Sequence, residues 1–430
     1  MNADAPSRAA HRANVPFAVV VSVTLTALVL VFLLPNLWYG LHDISDIPVY
    51  QGYSHRMADG ERPFTQSFKV EYPPLAVPIF RLPGHSHDLR AYTHWFTITL
   101  GIITMLTAAL TALVACRYWP RGGRAYVAAV LFPVAVALTG AIIVNRYDAA
   151  VALLIAGFIL CLSARWTTAA AFVLGMGFAL KLTPAALLPL VLLLAGSPRR
   201  WVWPLVAFVA AAAAPFLPYL FSSPSGLWYV FQYHLERPLQ IESVLGTPML
   251  FGKLIGVSQA TWGYSHGSHI LVARGAGLAG TASGGLTLLA LAGVYLLIWR
   301  RRERLRAVAP DQALAVFALI LAVMTFGKVL SPQYFIWTLP AWALVAARDR
   351  VLAVLGGLTL LLTQIEFPKL YWYMLDMQHT PLAVLVTRNL MLVATFGFAA
   401  WRLWGLGEGP ADASRSLVIR AAERASGTRT

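Results

Sequence analysis

RWTTAAAFVLGMGFALKLTPAALLPLVLLLAGSPRR, residues 165–200, is the stretch that decides how this chain is folded. Between Thr167 and Gly196 it is apolar for longer than the roughly 20 residues that one bilayer crossing needs. Arg165 stands before the run and Arg199 and Arg200 stand after it, and short arginine-rich loops mark the cytoplasmic ends of spans. Both ends therefore belong on the same side, so the run must turn back on itself. Lys181, Pro184 and Pro189 interrupt it, and proline removes a helix donor. The expectation is two short helices joined at KLTP, residues 181–184.

Working outward, ten further apolar runs of crossing length occupy about 16–39, 92–116, 125–143, 149–164, 201–221, 276–299, 311–330, 333–347, 351–366 and 381–402. The sequence is 58% hydrophobic and 12% charged, which excludes a soluble protein and exceeds a single anchor. An all-α polytopic membrane protein with a bundle of about 10–12 transmembrane segments is expected. The formal charge of +15 does not point to nucleic acid, because the cations sit at span ends and not in an aromatic-interleaved patch. With a cytoplasmic N-terminus, the inside loops receive Arg8, Arg12, Arg117, Arg121, Arg124, Arg165, the run RRRERLR at 300–306, Arg348 and Arg350. Residues 1–15 then form a cytoplasmic tail, 16–404 one transmembrane domain, and 405–430 a polar, disordered cytoplasmic tail. Cys116 and Cys161 fall near the cytoplasmic side and read as packing residues.

The opposite face receives two long polar insertions, at 40–91 and 222–275, together with EFPKLYWYMLDMQHT at 366–380. The first begins HDISDIPVYQGY, where Asp43 and Asp46 are three residues apart and share a face if a helix starts there. A carboxylate where a membrane helix has just ended suits a general base, although Asp is also a common helix cap. Lys181 lies inside an apolar stretch where a purely structural lysine is expensive, and snorkelling is its alternative. Arg146 and Lys328 share that placement. In YHLERPLQIESV, residues 233–244, the side chains of His234, Glu236, Arg237, Gln240 and Glu242 make a dense polar run. Arg237 suits bidentate phosphate contact, and Glu242 stays open as an alternative base.

DIPVYQGY, then Gly60, then YPPLAVPIF resembles the first external loop of glycosyltransferase family 87, of the C-type glycosyltransferase superfamily. The matching positions are Asp46, Val49, Tyr50, Gly60, Tyr72, Pro73, Pro74, Leu75 and Ala76. NRYD at 145–148, KLTPAALLP at 181–189 and SPQYFIWTLP at 331–340 extend the likeness, which is strongest to actinobacterial members using polyprenyl-phosphate mannose. The resemblance implies inverting transfer of a sugar, mannose in those members, from a polyprenyl-phosphate donor to a glycolipid or glycan acceptor on the extracytoplasmic face. Asp46 would be the base, with Asp43 beside it. Lys181, Arg146, Lys328 and Arg237 would hold the donor phosphate, and Tyr50, Tyr72, His234, Gln240 and Glu242 would line the substrate site.

No cofactor is expected, since the GxG at 175–177 lies in a membrane helix and no soluble nucleotide-binding domain is present. His55, His85, His87, His94, His266 and His269 match no closed ligand spacing, so no metal is expected. A transporter or lipid flippase is the competing class. It predicts paired repeats and charges on both halves, whereas the polar residues here are one-sided.

Overall fold

A computed structural model describes residues 16–33 and 45–407. Asp43, the N-terminal tail, the last part of the first expected span and most of the C-terminal tail lie outside the described residues. Among the described residues, five helices are long and apolar enough to cross a membrane: Leu89–Tyr118, Ala276–Arg300, Ala309–Phe326, Arg350–Leu375 and His379–Trp404. Shorter apolar helices stand beside them, among them Phe17–Leu33, Arg124–Thr139, Asp148–Ser163 and Thr167–Lys181. The chain is thus a helical, polytopic membrane protein. Ala309–Phe326 and Leu339–Ala346 are almost wholly buried and form the centre, whereas Ala276–Arg300 is mostly uncovered. Membrane lipid is the natural partner of that uncovered surface.

The 165–200 stretch folds as a broken helix. Thr167–Lys181 ends at Leu182, a 3-10 turn runs over Thr183–Leu187, and Leu188–Ala195 follows. Gly175 allows Val202–Ala213 to press against Thr167–Lys181, because a Cβ there would stand 2.4 Å from the Phe208 carbonyl oxygen. The expected span at 201–221 is shorter than its sequence suggested. Its helix ends at Ala213, just before Ala214 and Pro215, which has no N–H to continue the helix bonds, and Leu217–Leu220 is a separate turn.

The two insertions fold back onto one end of the bundle. The first supplies helices Ile47–Ala58 and Ala76–Arg81, the second Pro224–Glu236 and Thr247–Leu254. The second also departs from the all-α expectation with a two-stranded antiparallel hairpin, Ala260–Ser265 paired with Ser268–Ala273. His266 and Gly267 turn it with φ of +48° and +64°, and two positive φ values match the twist of a tight hairpin. Backbone bonds tie these pieces down: Leu75 N to Ala179 O at 2.9 Å, Gln240 N to Lys328 O at 2.9 Å and Ile241 N to His269 O at 3.1 Å. At the other end, buried Asp311 accepts from Arg304 at 2.8 Å and from Arg348 at 2.6 Å, which staples the basic loops.

Candidate active site

Both insertions, the Ile142–Asn145 break, the KLTP joint and the segment after Gln364 close around a cavity of about 340 Å³. Asp46 occupies the N-cap position of Ile47–Ala58, yet its side chain makes no capping bond, and Ser45 Oγ accepts from Ile47 N at 3.1 Å. The Asp46 carboxylate is thereby left for the cavity. Its Oδ2 lies 3.1 Å from Arg146 Nε, and the Asp46 side chain is 34% exposed while Arg146 is buried beneath it. Arg146 reaches this place because its own backbone is extended between two helices.

A second ion pair stands on the same wall. Lys181 Nζ is 3.1 Å from Oδ1 of fully buried Asp148, and Trp337 Nε1 donates to the same oxygen at 2.7 Å. The rings of Tyr147, Tyr334 and Trp337 surround the ammonium at 4.6, 5.3 and 5.6 Å. Arg237 differs. It ends the Pro224–Glu236 helix, lies over the Tyr233 ring, and has no carboxylate at ion-pairing distance among the described residues. Its charge still acts on Glu71 through the cavity, opposing the burial that raises that carboxyl's pKa.

Three carboxylates line the cavity, and their surroundings separate them. Glu71 accepts the Tyr53 hydroxyl, and burial raises its pKa although that bond works the other way. Glu242 is 1% exposed, takes Gln240 Nε2 at 2.8 Å, and is pushed well up by burial and then by neighbouring Glu366. Asp46 and Glu71 are both half-buried, but Glu71 is engaged by the Tyr53 hydroxyl, whereas Asp46 is held by a cation with 34% of its side chain exposed. His234 also lines the cavity, and burial, with the charges of Lys181 and Arg237, lowers its pKa to about 4. It is therefore neutral near pH 7. Among the described residues no group of three or more His, Cys, Asp or Glu side chains is placed to hold a metal ion.

Asp46, Arg146, Lys181, Arg237, Tyr72, His234, Gln240 and Glu242 thus share one cavity. Two expected members do not. Tyr50 is fully buried, stacked on Phe80 at 4.5 Å, and meets only the back of Asp46, with its hydroxyl 3.4 Å from Oδ2. It packs behind the carboxylate, outside the lining of the cavity. Lys328 donates to Leu235 O at 2.5 Å and stays out of the lining, because its ammonium is engaged by a carbonyl in the last turn of Pro224–Glu236. Asp148 and Trp337 were missed by sequence reading: Asp148 was visible in NRYD, but it reads there as the first residue of the next helix.

Residues 71–326 match the model of glycosyltransferase family 87. Among solved structures the chain is similar to ArnT from Cupriavidus metallidurans, in the apo state at 13% identity and bound to undecaprenyl phosphate at 15%. Each has a TM-score of 0.45 and covers 89% of this chain and 76% of that one. An Archaeoglobus fulgidus oligosaccharyltransferase tethered to an acceptor peptide matches at 15% identity with a TM-score of 0.44, covering 92% of this chain and 56% of that one. No curated protein sequence matches it.

Proposed function

The chain belongs to glycosyltransferase family 87, and from that premise we propose that it moves a sugar, mannose, from a polyprenyl-phosphate donor to a hydroxyl of a glycolipid or glycan acceptor, with inversion. One juxtaposition carries this reading: Asp46, a partly exposed carboxylate held by Arg146, shares a cavity with Arg237, a cation with no carboxylate at ion-pairing distance among the described residues. Arg237 meets the donor phosphate, and Lys181 adds to the field from beside it. The acceptor hydroxyl approaches Asp46, its oxygen bonds to the anomeric carbon, and the bond from that carbon to the phosphate oxygen breaks on the opposite face. Asp46 takes the hydroxyl proton and the phosphate leaves with the electron pair. Because a phosphate leaving group needs no proton, one carboxylate base and fixed cations suffice. Arg146 holds the base in position. This face is extracytoplasmic, with both termini cytoplasmic, as the arginine distribution predicts.

The test uses the purified chain in nanodiscs with labelled polyprenyl-phosphate mannose and a mannosylated lipid acceptor. Asp46→Asn lowers kcat by roughly 10²- to 10⁴-fold, the usual worth of a positioned base. Arg237→Gln raises the donor KM by about tenfold or more, since a charge-assisted bond contributes roughly 1.5–3 kcal/mol. Wild-type turnover by Asp46→Asn would remove Asp46 as the base, and consumption of a different polyprenyl-phosphate sugar in preference would replace mannose.

A further inference from the structure

The cavity has two unlike walls. Asp46, Arg146 and Lys181 line the charged one, with Asp148 buried behind Lys181. The same cavity is also lined by a ring system that the sequence does not assemble, made by the hairpin and the short helix Tyr371–Leu375. Pairing of Tyr264 with His269 puts Trp262, Tyr264 and His269 on one face of the hairpin, since side chains two residues apart share a face. His269 is the hub. Its ring lies 5.0 Å from Trp262, 5.3 Å from Tyr264, 5.6 Å from Tyr371 and 6.0 Å from Trp372, and its Nδ1 is 2.8 Å from the Tyr371 hydroxyl.

The hub fixes the wall, yet the wall's outer rings remain open. Trp372 is 55% and Tyr264 67% exposed, although both line the cavity. Aromatic residues of a membrane belt sit at headgroup level beside lipid. These two line the same cavity as three carboxylates and three cations, which is a polar setting and not the lipid-facing one of a belt. Burial lowers the His269 pKa, so the hub adds no charge near pH 7. An aromatic wall in a cavity that also holds carboxylates and cations suits the apolar face of a pyranose ring, whose hydroxyl edge is then left for the polar groups of the same cavity.

We propose that Trp372 and Tyr264, held by His269 and Tyr371, form the subsite that stacks a pyranose of the acceptor glycan and thereby presents its hydroxyl to Asp46. The assignment of that sugar to the acceptor rests on the transfer reading above; the saccharide site itself does not.

The experiment measures two ligands separately on the full chain in nanodiscs: mannobiose, by saturation-transfer difference NMR, and sugar-free decaprenyl phosphate, by native mass spectrometry. Trp372→Ala and Tyr264→Ala each raise the mannobiose Kd about five- to tenfold, as expected for loss of one aromatic contact, and leave decaprenyl phosphate binding unchanged. Trp372→Phe retains most of the mannobiose affinity, which separates stacking from misfolding. Arg237→Gln shows the reverse pattern. If Trp372→Ala weakens decaprenyl phosphate and spares mannobiose, the wall is a lipid groove and the proposal is overturned; absence of mannobiose binding by the wild type overturns it as well. Should Arg237→Gln leave decaprenyl phosphate untouched while Trp372→Ala still weakens mannobiose, the donor assignment fails and the saccharide subsite stands.

Discussion

Replacing Asp148 by Asn tests the buried pair on which the charged wall depends. The exchange keeps the shape and leaves an amide oxygen to accept from Trp337 Nε1, so the lost quantity is the negative charge beside Lys181. At 3.1 Å and an effective dielectric constant near 20, the Coulomb attraction is about 5 kcal/mol. Desolvation offsets part of it, and removal of one partner of a buried pair typically costs about 3–5 kcal/mol because the other charge is stranded. Three rings around the ammonium recover roughly 1–2 kcal/mol. The net loss expected for Asp148→Asn is therefore about 1–4 kcal/mol. Lys181→Met strands the carboxylate and is equally costly, whereas the double variant regains most of the loss. The assay is a double-mutant cycle from denaturant unfolding in mixed micelles, read as a coupling energy of at least about 2 kcal/mol. A loss below about 0.5 kcal/mol for Asp148→Asn, or losses that simply add, would refute the reasoning, because the pair would then be solvated.

Two further expectations follow from other parts of the site. His234 has a folded pKa near 4 against about 6.5 unfolded, so between those values the unfolded chain binds more protons and stability falls as pH drops from 6.5 towards 4. The loss approaches roughly 3 kcal/mol, and thermal melts of wild type and His234→Gln compared at pH 7 and pH 4.5 should show the variant losing less. Gly226→Ala should displace the Pro224–Glu236 helix, since a Cβ there would stand 1.4 Å from the Phe64 carbonyl oxygen, which also accepts from Ser223 Oγ at 2.5 Å. A destabilisation of about 3 kcal/mol or more, with faster proteolysis in the 222–275 loop, is expected; a neutral result would show that the two loops do not touch.

Helical order and the number of apolar elements were legible because bilayer length and arginine placement act locally along the chain. The KLTP joint could be read for the same reason: proline and the arginines on both sides constrain the path whatever surrounds them. Asp46 could be singled out by its position after a span and by the motif around it. What sequence could not supply was the state of each charged group. Lys181 in an apolar run looks like an unneutralised cation until Asp148, 33 residues away, is seen against it, and Lys328 looks equivalent until its bond to Leu235 O takes it out of the cavity. The aromatic wall depends on a pairing of Tyr264 with His269 and on a contact from His269 to Tyr371, 102 residues further on. The sequence by itself determined that this chain is a membrane bundle with one elaborated polar end and a carboxylate at its edge, because hydrophobic length and charge asymmetry are properties of consecutive residues. Only the tertiary structure decided which cations are held by carboxylates, which carboxylates are buried and which rings share their cavity, because pairing and desolvation arise between residues that meet only when the helices pack.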